Sequence, residues 1–359
     1  MKIGVDARML EASGIGVVIE NIVRRLIQLE PHWELYLLGS REAFSRKKIF
    51  EEGNVHIVEC TSKIYTIYEQ FELILKIPKG LDLFWSPHYN VPVFYQGRML
   101  VTIHDVAHLA LPEVRRSLLK RTYAKTMLGI AARKADRVMC VSQFTIGELK
   151  KYIAVDTKKI ELVYNGVDET WFHIPDGTKL HEKPYFVYMG NIKPHKNLLR
   201  LIEAYRRVSD EVRHDLVLIG KKEGFITGIN NIVDRIKGLE DRIHFTGYVE
   251  DDVLKQYVIQ SDGLIFPSLY EGFGLPPLEA MAAGKKALIS DIPCLKEICG
   301  DAAEYCNPYD VADIAEKLKK FEDVEMNPEI LRKKAKSYTW EAAAQKIRDI
   351  MCLVVGSER

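Results

Sequence analysis

The sequence predicts an α/β protein of two domains, each built on a parallel sheet between helices. Short apolar runs alternate with longer helical patterns along the whole chain, the signature of parallel strands joined by helical crossovers. The 359 residues exceed what one hydrophobic core usually serves, and the 47% apolar content has material for two. The stretch YNGVDETWFHIPDGTKLHEKP, Tyr164 to Pro184, interrupts both periodicities with Asn-Gly, Pro-Asp-Gly and a final Pro, which marks a hinge.

Taken in order, the first half has strand patterns at Lys2–Asp6, Glu34–Gly39, Val55–Glu59, Leu81–Ser86, Met99–His104 and Arg137–Ser142, with helices near Ile15–Leu29 and Val114–Lys134. Beyond the hinge the pattern restarts. Strands are predicted at Tyr185–Gly190, Asp215–Gly220, Ile243–Thr246, Gly263–Phe266 and Lys286–Ser290, with helices near Leu198–Val208, Asp251–Gln260 and Pro277–Ala283. The last segment, Trp340–Val354, is a helix able to pack on either half.

Lys+Arg and Asp+Glu nearly cancel, 51 against 50, so no global field draws the chain to nucleic acid. The six cysteines are scattered, without Cys-x-x-Cys or a histidine at zinc spacing, and read as reduced and mostly buried. The start, MKIGVDAR, reads as a strand, and no apolar run approaches the ~20 residues of a spanning helix. A cytosolic protein is expected.

Ligands of open α/β sheets bind beyond the carboxyl ends of the strands, so the residues following each strand are the informative ones. After the first strand, Gly14 and Gly16 open a helix: they either let backbone N–H groups approach an anion or make a bland steric turn. His104-Asp105 ends another strand, as a ligand-contacting pair or a capping turn. In the second half, GNIKPHKNL puts Lys193, His195 and Lys196 just before a helix N-terminus. Cations there are unfavourable unless an anion is expected, and a diphosphate meets the need; the alternative is a solvated basic turn. In SLYEGFGLPPLEAMAAG, Glu271 sits on a loop, Gly272 and Gly274 free the backbone, and Pro276-Pro277 preset the helix that carries Glu279. Carboxylates accept paired hydrogen bonds from vicinal hydroxyls, and a nucleotide sugar offers two diols, one per glutamate. Dipole-favoured placement of Glu279 and a loop acid without a task at Glu271 are the bland alternatives.

Gly14/Gly16, His104, Lys196 and Glu271-x7-Glu279, in order across two Rossmann-like halves, make the chain similar to the retaining family-4 glycosyltransferases of the GT-B fold. VSQFTIGEL, YNGVD and FTGYVEDDVL also read like that family. The resemblance implies two Rossmann-like domains with parallel sheets facing a central cleft: an acceptor-binding domain over residues 1–168 and a nucleotide-sugar-binding domain over 169–337, with a final helix, 338–359, packing back on the first. It implies that Glu271 contacts the donor sugar, Glu279 the ribose and Lys196 the diphosphate, that Gly14 and its neighbours approach that diphosphate, and that His104 contacts the sugar near the reacting carbon. The loop of Gly272, Phe273, Gly274 and Leu275 would lie against the donor.

One position departs from the family. Where members commonly carry Gly-Arg, this chain has Gly190-Asn191; Asn191 donates a hydrogen bond but brings no charge. Lys193 or His195 then replaces the cation, or Lys196 acts with backbone donors alone. No Asp-x-Asp or histidine cluster suits a catalytic metal, so metal-independent transfer is expected, without other cofactor, and with the acceptor attacking on the leaving-group face. A glycan or lipid-linked saccharide is the expected acceptor. The basic stretch Leu111–Arg137 is either a solvated face over a packed apolar stripe or a docking element for anionic lipid on the inner membrane face. Bacterial mannosyltransferases of polysaccharide assembly are the most similar in pattern, making GDP-mannose the first donor and UDP-sugars the next. A nucleotide-sugar epimerase and a non-catalytic binding protein of the same fold are the competing classes.

Overall fold

This computed structural model describes residues 1–49, 53–111, 118–191, 193–220 and 235–357. The chain forms two compact units, Met1–Gly166 with Thr339–Arg359, and Val167–Tyr338.

In the first unit the described strands are β1 (Lys2–Asp6), β2 (Glu34–Gly39), β3 (Val55–Glu59), β4 (Leu83–Ser86), β5 (Met99–Ile103), β6 (Arg137–Cys140) and β7 (Ile160–Leu162). They pair in the order β3-β2-β1-β4-β5-β6-β7, all parallel. Helices α1 (Ile15–Leu29), α2 (Arg41–Arg46), α3 (Ile67–Lys76), α4 (Ala107–Ala110), α5 (Leu118–Lys134) and α6 (Gln143–Tyr152) connect them. The stripe of α1 is read directly from its spacing: Val18, Ile19, Ile22, Val23 and Leu26 are buried at i, i+1, i+4, i+5 and i+8.

The second unit has β8 (Tyr185–Met189), β9 (Asp215–Ile219), β10 (Ile243–Gly247), β11 (Gly263–Phe266), β12 (Ala287–Ser290) and β13 (Glu304–Cys306), in the order β10-β9-β8-β11-β12-β13 and again all parallel. Its described helices are α7 (Leu198–Val208), α8 (Asp251–Gln260), α9 (Leu275–Ala282), α10 (Pro293–Cys299), α11 (Val311–Phe321) and α12 (Pro328–Lys336). The core gathers Phe186, Leu201, Tyr205, Leu216, Ile265 and Leu318, from β8, α7, β9, β11 and α11. In each sheet the strand order reverses beside the unit's first strand, at β1/β4 and at β8/β11, which is where such sheets open a crevice at their carboxyl edge.

The terminal helix α13 (Trp340–Gly356) belongs to the first unit and packs on α1. Thr339 caps it by accepting from the Ala342 N–H at 3.1 Å. Arg25 and Glu341 at 2.6 Å, and Arg348 and Glu30 at 3.2 Å, flank the contact. At Gly166 a side chain would stand 2.1 Å from the Trp340 nitrogen, so the chain entering α13 passes against this glycine.

Four strand patterns end earlier than predicted, β9 by one residue, at Ile219. β5 stops at Ile103, making His104 the first residue beyond it; β6 stops at Cys140, and Ser142 instead caps α6, accepting from Thr145 N–H at 3.0 Å; β8 stops at Met189. β7 and β13, three residues each, were not anticipated, nor were α2, α3, α4, α6 and α10 to α12. The predicted helix over 114–134 is seen from Leu118, its first residues lying outside the described ones. Its apolar stripe is packed only in the second half: Met127 and Leu128 are buried, while Leu118 and Leu119 are about four-fifths exposed, at 77% and 83%. Five cysteines are buried and free, and Cys352 is exposed. Among the described residues, no helix is long and apolar enough to cross a membrane.

Candidate active site

In the second unit, Lys196 and Glu271 follow β8 and β11, the two strands flanking the point where the order reverses. The turn after β8 is a single 3-10 turn, Pro194–Lys196, and α7 starts two residues later. Between them Asn197 takes the left-handed conformation, φ 63°, which asparagine tolerates better than most residues. Its buried amide donates to Pro267 O at 2.9 Å and Pro308 O at 2.7 Å. Leu269 N–H donates to His195 O at 2.7 Å. These bonds stitch the post-β8 turn to the post-β11 loop, and Lys196 Nζ comes 2.7 Å from Glu271 Oε1 with both side chains mostly buried.

Lys196 therefore has an anion within the protein itself, the Glu271 carboxylate of the same unit, which any diphosphate at this turn would have to share. Lys193 and Asn191 are exposed, and His195 is half-buried. Sequence reasoning passed over Asn197, whose signal was an asparagine directly before a helical pattern.

The Glu271 loop is shaped by Gly274, which caps α9 at φ 97° with Leu295 Cδ2 only 2.5 Å from where a Cβ would stand. Any side chain here meets both the left-handed backbone and the core. Phe273 is buried and packs edge-on against Tyr338, ring centroids 5.6 Å apart, so its side chain is part of the core and only its backbone is available to a ligand. Leu275 and Pro276 open α9, one turn ahead of Glu279. Burial, then the nearby Asp251 charge and, more weakly, Asp168, push the Glu279 carboxyl up to about 7 against the pull of Lys255. The Tyr188, Ser268 and Ser290 hydroxyls, near the carboxyl ends of β8, β11 and β12, are buried without a protein hydrogen-bond partner among the described residues. Buried hydroxyls of this kind are normally satisfied by water or a ligand.

In the first unit, His104 Nε2 donates to Pro87 O at 2.8 Å, which fixes the proton on Nε2 and leaves Nδ1 as an acceptor. Burial lowers its pKa and keeps the ring neutral, more than offsetting the Pro87 bond and the Asp105 charge. Asp105 makes the capping turn of α4, accepting from Ala107 N–H at 2.9 Å. Gly14 caps α1 at φ 73° with open space where a Cβ would be. Gly16 is different: a Cβ there would lie 2.2 Å from Leu10 O. The Ile15 and Gly16 N–H groups are bonded to Ser13 O and Ala12 O, at 2.9 and 2.7 Å. Gly16 is thus a steric requirement of the turn, and its N–H serves the loop rather than an anion.

Beside β1 and β4 lies a buried charge network that sequence reasoning missed. Arg8 pairs with Asp6 at 2.6 Å and with Glu69 of α3 at 2.8 Å, all three side chains at most 3% exposed. His88 Nδ1 accepts from Asn90 N–H at 3.2 Å, directing Nε2–H at Asp6 Oδ2, 3.2 Å away. Asn90 bonds in turn to Glu69 and Tyr123. Burial alone would raise the Asp6 carboxyl, but the charge and hydrogen bonds of Arg8 hold it far below the usual range. The network ties α3, α5 and the Pro87–Asn90 segment to β1, and so fixes the carbonyl that orients His104.

Comparison with known proteins assigns both units. The family model for Glycosyltransferase Family 4 matches residues 12–171, and that for Glycosyl transferases group 1 matches residues 169–339. The chain belongs to the family-4 glycosyltransferases of the GT-B fold. Among curated relatives, this glycosyltransferase is 26% identical over 261 residues to the O-antigen chain mannosyltransferase RfbU of Salmonella typhimurium, covering 73% of this chain and 70% of the relative. It is 28% identical over 241 residues to O-antigen chain mannosyltransferase B of Escherichia coli, covering 63% of each, so slightly less than two thirds of that relative's length is matched. Anabaena HepE, solved in complex with UDP-glucose, shares the fold with a TM-score of 0.77 at 16% identity, over 98% of this chain and 100% of the other.

Proposed function

We propose that this glycosyltransferase moves mannose from GDP-mannose to a glycan or lipid-linked saccharide, retaining the anomeric configuration and using no metal at the reacting centre. The observation that carries the nucleotide-sugar reading is the Lys196–Glu271 pair at the β8/β11 switch point, with Glu279 one helix turn into α9. In the proposal a cation, a carboxylate for the transferred sugar and a carboxylate for the ribose come from one rigid unit. Lys196 receives the diphosphate charge as it develops, which requires its partner Glu271 to turn its second oxygen to the sugar hydroxyls. His104 accepts a sugar hydroxyl at Nδ1 and stays neutral. The acceptor attacks on the leaving-group face, and its proton passes to the departing phosphate. Mannose as the sugar is favoured by the relatives RfbU and mannosyltransferase B.

The deciding experiment incubates the enzyme with GDP-mannose and separately with UDP-glucose, each with and without EDTA, and reads released nucleotide and product anomer by NMR. Retained configuration and EDTA-resistant turnover with GDP-mannose are expected. Turnover with UDP-glucose alone transfers the reading to UDP-sugars; an inverted product, a trapped glycosyl-enzyme adduct or full loss in EDTA overturns the mechanism. Conversion of the donor to another free nucleotide sugar would identify an epimerase.

We further propose that the first unit docks on anionic membrane. Helix α3 is inverted: Glu69 and Leu73 are buried, whereas Ile67, Tyr68, Phe71, Ile74 and Leu75 form an apolar face turned outward, 48–83% exposed. Tyr65, just before α3, meets Tyr123 of α5 edge-on at 6.2 Å, on the helix that also exposes Leu118 and Leu119. Exposed Lys63, Lys76 and Lys79 flank or end α3 along the chain, and exposed Arg121 and Lys125 lie on α5, the charge complement of an anionic headgroup layer. Flotation with liposomes containing anionic lipid is expected, reduced at least tenfold in Phe71→Glu/Leu75→Glu. Equal flotation with neutral liposomes removes the charge argument.

A further inference from the structure

Away from the donor site, at the amino-terminal edge of the second unit's sheet, three metal-ligating side chains converge. His181 lies in the segment leading to β8, Asp215 is the first residue of β9, and His244 is the second residue of β10, paired in register with Val217. His181 Nε2 stands 2.9 Å and His244 Nε2 3.3 Å from the same atom, Asp215 Oδ2. The ligand atoms of all three lie within 4.8 Å of one another. With metal–ligand bonds of about 2.0–2.1 Å, a tetrahedral centre holds its ligand atoms roughly 3.3–3.4 Å apart. The two histidine–aspartate separations thus lie within a few tenths of an ångström of that spacing, while the two imidazole nitrogens must also close on each other from a separation of up to 4.8 Å.

We infer that His181, Asp215 and His244 form a structural zinc site that fastens the segment entering the second unit to strands β9 and β10. The donor set, two imidazoles and one carboxylate, suits Zn²⁺. Each imidazole would ligate through Nε2, which must first give up the proton it directs at Asp215 in the metal-free cluster. Asp215 is 1% exposed, and its second oxygen is held by Arg242 Nε at 2.7 Å, which orients the carboxylate in the way metal ligands are usually supported. That guanidinium also opposes a second cation, so the affinity falls below that of sites without one. The three residues border an open surface pocket of about 300 Å³ lined also by the acids Glu182 and Asp241 and by Lys179 and Lys183, and the Lys183 charge, which acts on Asp215, likewise opposes a bound cation. Water completes the fourth position.

The competing explanation is a cluster that is complete as it stands, both histidines donating to Asp215. Full-length protein stripped with EDTA separates the two. Zn²⁺ is titrated in, with uptake read against a chromophoric chelator, Co²⁺ giving the visible spectrum of a tetrahedral centre, and unfolding followed by calorimetry. One equivalent of Zn²⁺ is expected, raising the melting temperature of the second unit by roughly 5–10 °C at about 100 times its Kd. His181→Ala and His244→Ala, made separately and checked for a native circular dichroism spectrum, should each lose both the equivalent and the shift. No uptake by the unmodified protein, or an equal shift in both variants, overturns the site. Asp215→Asn is not used, because it also releases Arg242.

Discussion

Replacing Glu279 with Gln should stabilise the protein at alkaline pH while weakening nucleotide binding. Its carboxyl rises from 4.5 to about 7 on folding, chiefly through burial. A raised carboxyl leaves stability intact below the unfolded value and lowers it as pH climbs toward the folded one, because the unfolded chain ionises first. Fully expressed, above pH 7, the cost is about 3 kcal/mol, at 1.36 kcal/mol for each unit of the shift. At pH 5.5 linkage leaves about 1.4 kcal/mol of it and at pH 8.5 nearly all, so the difference is about 2 kcal/mol. Glutamine cannot ionise. The melting temperature of Glu279→Gln relative to the parent should therefore gain roughly 4–8 °C more at pH 8.5 than at pH 5.5. Comparing the two pH values removes any offset from the changed side chain itself. Binding follows the opposite trend: a carboxylate accepts both ribose hydroxyls only when ionised, so parental affinity for nucleoside diphosphate should rise up to tenfold per pH unit below 7 and level off above it. Calorimetry and titration at the two pH values test both. An unchanged gap in melting temperature would show that Glu279 ionises normally, and pH-independent affinity would remove it from the ribose.

Lys196→Ala should lower turnover roughly 100-fold or more, and a double-mutant cycle with Glu271→Gln should give a coupling of about 0.5–3 kcal/mol in binding, because the pair is already made in the free protein; near-parental turnover excludes Lys196 from leaving-group stabilisation. Gly16→Ala should destabilise the first unit by about 1–3 kcal/mol, since the Leu10 carbonyl 2.2 Å from the new Cβ is backbone, whereas Gly14→Ala meets only its positive φ and should cost about 1–2 kcal/mol; urea unfolding measures both. Arg8→Met strands two buried carboxylates and should cost about 3–5 kcal/mol. In the parent, the contribution of Asp6 is present above its unfolded value of 3.8 and is lost as pH falls below it, so the gap between parent and Arg8→Met should narrow in acid.

The alternating pattern placed strands β1, β2 and β3 and helices α1, α7 and α8 at their observed limits, because each has a buried face or core long enough for periodicity to register. The edge strands β7 and β13 are too short for that, and their existence depends on a neighbouring strand that offers a ladder. Helix α3 escaped notice for a different reason. Its apolar residues face outward and its buried face carries Glu69, so hydrophobicity points away from the core.

By itself the sequence determined the family, the order of the elements and the residues that follow each strand, since local spacing and turn chemistry carry that information. What only the tertiary structure decided is which distant groups meet. It gave Lys196 a carboxylate partner 75 residues away, made Gly16 a packing requirement, buried Phe273, gathered Asp6, Arg8, Glu69 and His88, and brought His181, Asp215 and His244 onto one oxygen. Those contacts arise where strands far apart in the chain become neighbours in a sheet, and the charge of each group takes its energetic meaning from the burial and partners found there.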